Sequence, residues 1–584
     1  MSDAVYDILF AGGGTAACLA AGRLAAAYPS LRILIIEAGE HTKNLDAHTQ
    51  PVRYFSHLAP TSKTVDFNVG KPSENIGGRS LVTPSARCLG GGSSVNFAMY
   101  TRAAASDYDD WETTETYQVK PGEPTHGYSG PIKVSMGGTF TNVGSQFLDV
   151  ALAIDKDRRP IDDVNGLYKC NGYGTWQKWI DAETGKRSDV PHYFVYNQED
   201  NNNLVIITGQ KVKRVIFEGD KAVGVEYVND TVLKPDADQS VKTVHASKLV
   251  VVSAGAFGSP TIMERSGIGR KDILERNGVP VKVELPGVGE NYQDHNVCLI
   301  PYQASEDAEK LDALFRGEKA EEEKWLKEWS KGKGLIAHNG IDAGIKMRPT
   351  NEDLKELGPE FEHRWKTYFE NAPDKPVIWI GACSCLLGDI TVVPPRKYYV
   401  VGYYTEYPVS TGSVHITSAI DANAPYNFDP GFLSNQADIA TLRWGYKQAR
   451  EIARRMSSYR GEYLPGHPNF PSTSSAFCKG GQDGPVALDA PIIDYSKEDE
   501  KLLEDFNRRF VQTSYHSLGT CAMKSRSKGG VVDSRLNVYG VTNLKVGDIS
   551  IAPSNVGANT YSTALTIGEK VAVLVAEDLG LKLG

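Results

Sequence analysis

Apolar and polar positions alternate in a fixed order at the start of the chain. Residues 6–10 form a short apolar run of strand formers, and a glycine cluster follows. Thr15–Ala27 is rich in Ala and Leu and predicts a helix, and residues 32–36 are a second apolar, β-branched run. Strand, turn, helix and strand in that order make a βαβ unit. Near the other end, residues 544–548 predict a strand. Residues 560–579 predict a long helix with Ala564, Ile567, Val571, Leu574 and Val575 on one face. Further strands are expected at 204–208, 212–217, 222–228 and 249–253. Residues 307–370 are charged and helical in character, with Trp325, Leu326 and Trp329 as apolar points. No internal repeat interrupts this order.

Composition narrows the classes. The 584 residues allow several domains, and 41% hydrophobic with 23% charged residues is ordinary for a globular protein. The net charge of −9 comes without a basic block. Nucleic acid and anionic membrane surfaces are therefore not expected partners. No apolar run reaches the roughly 18 residues of a membrane span. The N-terminus has no signal-like segment, and Lys582-Leu583-Gly584 is not a Ser-Lys-Leu address. The expected location is intracellular, cytoplasmic or peroxisomal. Eight scattered cysteines have neither zinc nor thioredoxin spacing, so reduced thiols and no metal site are expected.

Four motifs carry chemistry. Gly12-Gly13-Gly14-Thr15-Ala16-Ala17 is a G-x-G-x-x-A turn between strand and helix. Gly12 permits the tight turn, Gly14 lets a pyrophosphate approach the backbone, and Ala17 keeps helix and strand close. The helix N-terminus offers N–H groups to phosphate. Glu37, 23 residues after Gly14, stands where a carboxylate can hold a ribose hydroxyl. The alternative is a Gly-rich turn beside a solvated glutamate. Gly90-Gly91-Gly92-Ser93-Ser94-Val95-Asn96-Phe97 is either a flexible loop or a buried nest of N–H groups, and the apolar Val95, Phe97 and Met99 favour burial. In the stretch 255–269, Ser259 is expected to cap a helix with Pro260 at its first position and Gly267 past its end. Finally, Tyr515-His516-Ser517-Leu518-Gly519 precedes the strand ending at Asp548, and Gly557-Ala558-Asn559-Thr560 opens the last helix. Read singly, His516 is a structural histidine and Asn559 an N-cap.

Together these motifs resemble the glucose–methanol–choline (GMC) oxidoreductases, and within them the FAD-dependent short-chain alcohol oxidases. The two glycine-rich signatures carry the likeness, which covers essentially the whole chain. Asn96 to Arg102, Asp294-His295, Trp444 to Lys447 and Tyr515 to Lys524 add alcohol-oxidase character. The resemblance implies an α/β fold in which a Rossmann-like FAD-binding domain (residues 1–165, 200–297 and 510–584) interleaves with a substrate domain (166–199 and 298–509). The substrate domain would be built on an antiparallel sheet with helices. The strand near Asp548 would pair with the N-terminal βαβ unit.

It also implies roles. Gly12, Gly14, Thr15 and Ala17 would serve the FAD pyrophosphate and Glu37 the adenosine ribose. Gly91, Ser93, Ser94 and Asn96 would lie along the isoalloxazine. Val212 would meet the adenine through its backbone, Asp548 the ribityl–phosphate region, and Thr560 the pyrimidine side. His516 would be the active-site base and Asn559 its partner. The reaction implied is oxidation of a primary alcohol to an aldehyde by hydride transfer to flavin, with O2 reduced to hydrogen peroxide. A dehydrogenase with another acceptor, or a hydroxynitrile lyase on the same fold, are the alternatives. Two stretches, 111–126 and 478–494, read as shorter than in the alcohol oxidases. They bear on the substrate entrance and on whether a homo-oligomer forms.

Overall fold

The computed structural model describes residues 5–111, 126–127, 129–390, 392–478, 480–481 and 484–583. Most of the shortened stretch 111–126 and part of 478–494 therefore lie outside the described residues.

Two sheets organise the chain. The first is centred on the strand Val5–Ala11, which pairs in parallel with Ile33–Ile36 on one side and with Lys242–Val252 on the other. Leu204–Ile207 extends it beyond Ile33–Ile36, again in parallel. All four residues of Ile33–Ile36 are buried, as expected of a strand covered on both faces. The strand Lys242–Val252 is shared along its length. Its first half pairs antiparallel with Lys221–Asn229, and its last residues pair in parallel with Leu544–Val546. The C-terminal strand thus joins the N-terminal unit through a middle strand; direct pairing with the βαβ unit, as expected from the sequence, does not occur.

The helices Thr15–Ala27 and Tyr561–Asp578 pack against each other over this sheet. Gly568 makes the approach close, since a Cβ there would stand 3.0 Å from the Ala16 Cα.

The second sheet runs in the order Tyr459–Glu462, Asn296–Ala304, Tyr398–Thr405, Ile378–Cys383, Ile341–Met347, Gly172–Thr175 and Arg159–Pro160. All its pairings except the last are antiparallel. Its central strands follow a period of two. Ile378, Ile380, Tyr399, Val401 and Tyr403 pack in one core with residues of the helices Asn142–Ile154 and Gln436–Ala453. Trp379, Cys383, Val400 and Tyr404 belong to the core behind the cavity described below.

Two expectations need correction. The strand Ile341–Met347 lies inside the stretch read as helical. Its Asp342 and Lys346 break the apolar pattern, yet both are buried. Asp342 pairs with Lys178 at 2.9 Å, and Lys346 donates to the Arg102 carbonyl at 2.6 Å. The helix after Ser253 begins at Gly255, so Pro260 is internal and Ser259 is not its cap. A proline there cannot donate to the carbonyl four residues back. That carbonyl, of Ala256, instead accepts from the Thr520 hydroxyl at 2.7 Å. Gly267 does follow the helix end with φ +82°.

Candidate functional site

A cavity of about 490 Å³ runs between the two sheets. Gly12, Gly14, Thr15, Glu37, Gly91, Ser93, Asn96, Val212, Asp548, His516, Asn559 and Thr560 all line it. Sequence positions more than 500 residues apart thus share one wall. Of the residues expected at the cofactor, Ala17 and Ser94 do not line it. Ala17 is buried where helix meets strand, and the Ser94 hydroxyl donates to Asp189 at 2.8 Å.

The glycine turns leave a cradle. Gly12 has φ +109°, and a Cβ on it would stand 2.4 Å from the Ser253 carbonyl oxygen. Gly14 differs: a Cβ would meet nothing nearer than 3.9 Å, so the space beside it is open. The first helical turn has no intrahelical partners for its N–H groups and opens there. Gly91 approaches so closely that a Cβ would lie 2.9 Å from the Gly14 Cα. The Thr15 hydroxyl ties the two loops, donating to Gly90 O at 3.0 Å and accepting from Ser93 N at 3.3 Å.

Glu37 ends the second strand and accepts from Gly13 N and Gly39 N, each at 2.8 Å. Burial nevertheless pushes its pKa up to about 7. Asp548 accepts from Gly255 N and the Ser259 hydroxyl, which explains why Ser259 does not cap. Open phosphate space, a free helix N-terminus and a carboxylate at the second strand's end fit a dinucleotide such as FAD.

Around His516 and Asn559 the hydrogen bonds fix protonation. His295 Nε2 lies 2.9 Å from the Val556 carbonyl, which can only accept, so Nε2 carries the hydrogen. Burial lowers the His295 pKa to about 4, so the ring is neutral and Nδ1 bears a lone pair. His516 Nδ1 lies 2.8 Å from it and must donate. His516 is itself held well below the ordinary imidazole range, by burial first and by His295 second. Its Nε2 is therefore unprotonated, and it accepts from Asn559 Nδ2 at 3.1 Å.

The Asn559 amide is oriented just as firmly. The Thr101 hydroxyl accepts Asn559 N–H at 2.8 Å and donates to Oδ1 at 2.9 Å, while Tyr404 OH lies 3.4 Å from the same oxygen. Asn559 precedes the helix N-cap, Thr560, and makes no cap. The loop that delivers it is pinned by Gly557 N–H donating to Asp107 at 2.9 Å. On the other side, Asp294 accepts His516 N–H at 3.0 Å and takes the Thr513 hydroxyl. Between these bonds Tyr515, the residue before His516, stands at φ +64°.

Phe97, Met99, Leu299, Trp379 and Tyr404 line the cavity beside these groups. Trp379 stacks on Tyr404 with centroids 5.0 Å apart and planes 10° apart. The site can take a proton from a small, partly apolar molecule at His516 Nε2 and hydrogen-bond its oxygen from Asn559. Thr101, Asp294 and His295 stood in the stretches with family character but received no role. Tyr404 carries no motif signal, because an aromatic in a β-branched strand reads as core.

The profile described as GMC oxidoreductase matches residues 6–297 and 408–568, more than half of the sequence. The chain belongs to the GMC oxidoreductases. This family member is 40% identical to an alcohol oxidase of Candida boidinii, with 98% of this chain and 95% of that protein covered. It is also 40% identical to alcohol oxidase 1 of Komagataella phaffii, with the same coverage. Among solved structures, an FAD-dependent oxidoreductase from Chaetomium thermophilum superposes with a TM-score of 0.81 at 22% identity, covering 99% and 100% of the two chains. The present chain joins a mixed, largely parallel-centred sheet to a largely antiparallel second sheet. The Trp444 to Lys447 segment lies on the helix Gln436–Ala453, away from the cavity wall.

Proposed function

We propose that the protein is an FAD-dependent alcohol oxidase that converts a primary alcohol to an aldehyde and reduces O2 to hydrogen peroxide. The observation that carries this reading is the unprotonated His516 Nε2 facing the cavity beside Asn559 Nδ2. Similarity to two alcohol oxidases at 40% identity over nearly the full length supports it.

When bound, FAD supplies the hydride acceptor and passes the electrons to oxygen. The chain does the rest. His516 Nε2 takes the hydroxyl proton, which makes the alcohol carbon a better hydride donor. One Asn559 amide hydrogen bonds His516, and the second is free for the alcohol oxygen, where negative charge grows. Gly12, Gly14 and Thr15 would hold the pyrophosphate, Glu37 the ribose and Val212 the adenine. Gly91, Ser93 and Asn96 would follow the flavin ring, with Asp548 and Thr560 at its ribityl and pyrimidine sides.

The division into interleaved cofactor and substrate domains belongs to the same reading, supported by the two sheets. An intracellular location, cytosolic or peroxisomal, is supported by eight unpaired cysteines. Among the described residues, no helix is long and apolar enough to cross a membrane.

The test is an anaerobic titration of the purified yellow protein with short primary alcohols, followed by admission of O2. Bleaching of the flavin, then reoxidation with one peroxide per flavin, is expected. No bleaching with any alcohol would favour a lyase, and bleaching that O2 does not reverse would favour a dehydrogenase.

A further inference from the structure

Arg187 is buried to 3% exposure just outside the cavity wall. Its Nε donates to the His48 carbonyl at 2.9 Å. Its Nη1 donates both to the Asn96 carbonyl at 2.7 Å and to Asn96 Oδ1 at 2.6 Å. Its Nη2 is buried without a hydrogen-bond partner. Asn96 Oδ1 also accepts from Ala98 N at 2.9 Å. The oxygen end of this amide is therefore fully engaged by the wall. Asn96 itself lines the cavity, so its remaining donor end is the one left for a bound group. The turn is strained: Ala98 has φ +53°, in the region that non-glycine residues avoid. Phe97, between them, meets the ring of Tyr515 at 5.7 Å, one residue from His516.

The charge on Arg187 is unusual. Among the described residues no carboxylate lies within 4 Å of it, and all its partners are neutral oxygens. Asp189 nearby accepts from Ser94 and pairs with the His192 ring at 2.6 Å. Burial lowers the Arg187 pKa to about 10, with the Asp189 charge opposing the fall, which still leaves it charged at neutral pH. A buried cation without a direct carboxylate bond is costly, and negative charge arriving nearby is attracted strongly where the dielectric is low.

We infer that Arg187 is a positioning residue that aims Asn96 into the cavity and supplies a fixed positive charge favouring the anionic, reduced state of the flavin. This rests on the reading that Asn96 lies along the flavin ring.

Sulfite binding to the oxidised holoenzyme tests it without turnover, because the adduct it forms on a flavin is anionic. Flavin content and the flavin midpoint potential are read on the same samples. Arg187→Met should bind sulfite about tenfold more weakly or worse, one pKa unit's equivalent, and shift the potential to more negative values. Arg187→Lys keeps the charge and should stay near the parent. Asn96→Asp gives Arg187 a carboxylate partner and should weaken sulfite binding in the same direction. Where Arg187→Met retains no flavin, Arg187→Gln is read in its place. Parent-like sulfite affinity in Asn96→Asp and Arg187→Met, or an Arg187→Lys protein as weak as Arg187→Met, would overturn the assignment. His516→Ala tests the base separately: a failure there leaves the sulfite result standing, and the reverse holds too.

Discussion

His516 Nε2 lies 3.1 Å from Asn559 Nδ2, although 43 residues and a strand of the first sheet separate them in sequence. The strand Leu544–Val546 brings the chain back to the sheet centre, and the loop after it carries Asn559 to the start of the last helix. Asn559 has its Oδ1 held by Thr101 and its amide nitrogen turned to the base. Asn559→Ala should slow flavin reduction by alcohol, and by less than loss of the base, since it orients but takes no proton. Thr101→Val removes the hydroxyl that sets the amide's direction. It should cost about tenfold in the same rate, near 1.4 kcal/mol in the barrier, with FAD still bound. Stopped-flow absorbance under anaerobic conditions checks both.

The acid side of the pH profile should be flat for longer than a free imidazole allows. In the proposed role His516 acts unprotonated, and burial together with His295 holds its pKa well below the ordinary 6.5. The anaerobic reduction rate should therefore hold level as pH falls from about 8 through about 6.5. An inflection at or above 6.5 would mean that the base is exposed to solvent or is another group.

Gly14→Val should separate folding from cofactor binding. Gly14 has φ −74°, which valine accepts, and its Cβ direction is open to the cavity. The variant should fold, with parent-like far-UV circular dichroism, and purify colourless because the side chain fills the phosphate space. Full yellow absorbance would contradict the assignment.

A different site governs alkaline stability. His415 bonds Glu264 at 2.7 Å and Glu290 at 3.3 Å. Burial alone would lower its pKa, but the two carboxylates outweigh it and raise the value to about 9. The folded pKa exceeds the unfolded one. The stabilisation is therefore complete below about 6.5 and disappears as pH rises through about 9, a change on the order of 3 kcal/mol. Thermal unfolding of the parent should weaken across that window, and His415→Asn should flatten the dependence.

Much of this was legible in the sequence. The βαβ unit and Thr15–Ala27 stand where apolar periodicity put them, because a parallel strand buried on both faces reads as an uninterrupted apolar run. The strand Ile341–Met347 was hidden by buried Asp342 and Lys346, whose partners Lys178 and Arg102 come from far along the chain. The helix start before Pro260 was hidden because Thr520 satisfies the carbonyl that the proline leaves free. His516 and Asn559 could be named from motifs. The lock that sets their protonation could not, since it passes through His295, Val556 and Thr101 on separate segments.

The central claim is that His516 Nε2 takes the alcohol's proton. Single-turnover anaerobic reduction of His516→Ala by a short primary alcohol tests it most directly, with flavin content measured on the same sample. General-base assistance is worth roughly 10²–10⁴-fold, so the variant should bind FAD as the parent does and reduce it slower by about that factor. Reduction at the parent rate with flavin content unchanged would contradict the account and assign the proton to another residue.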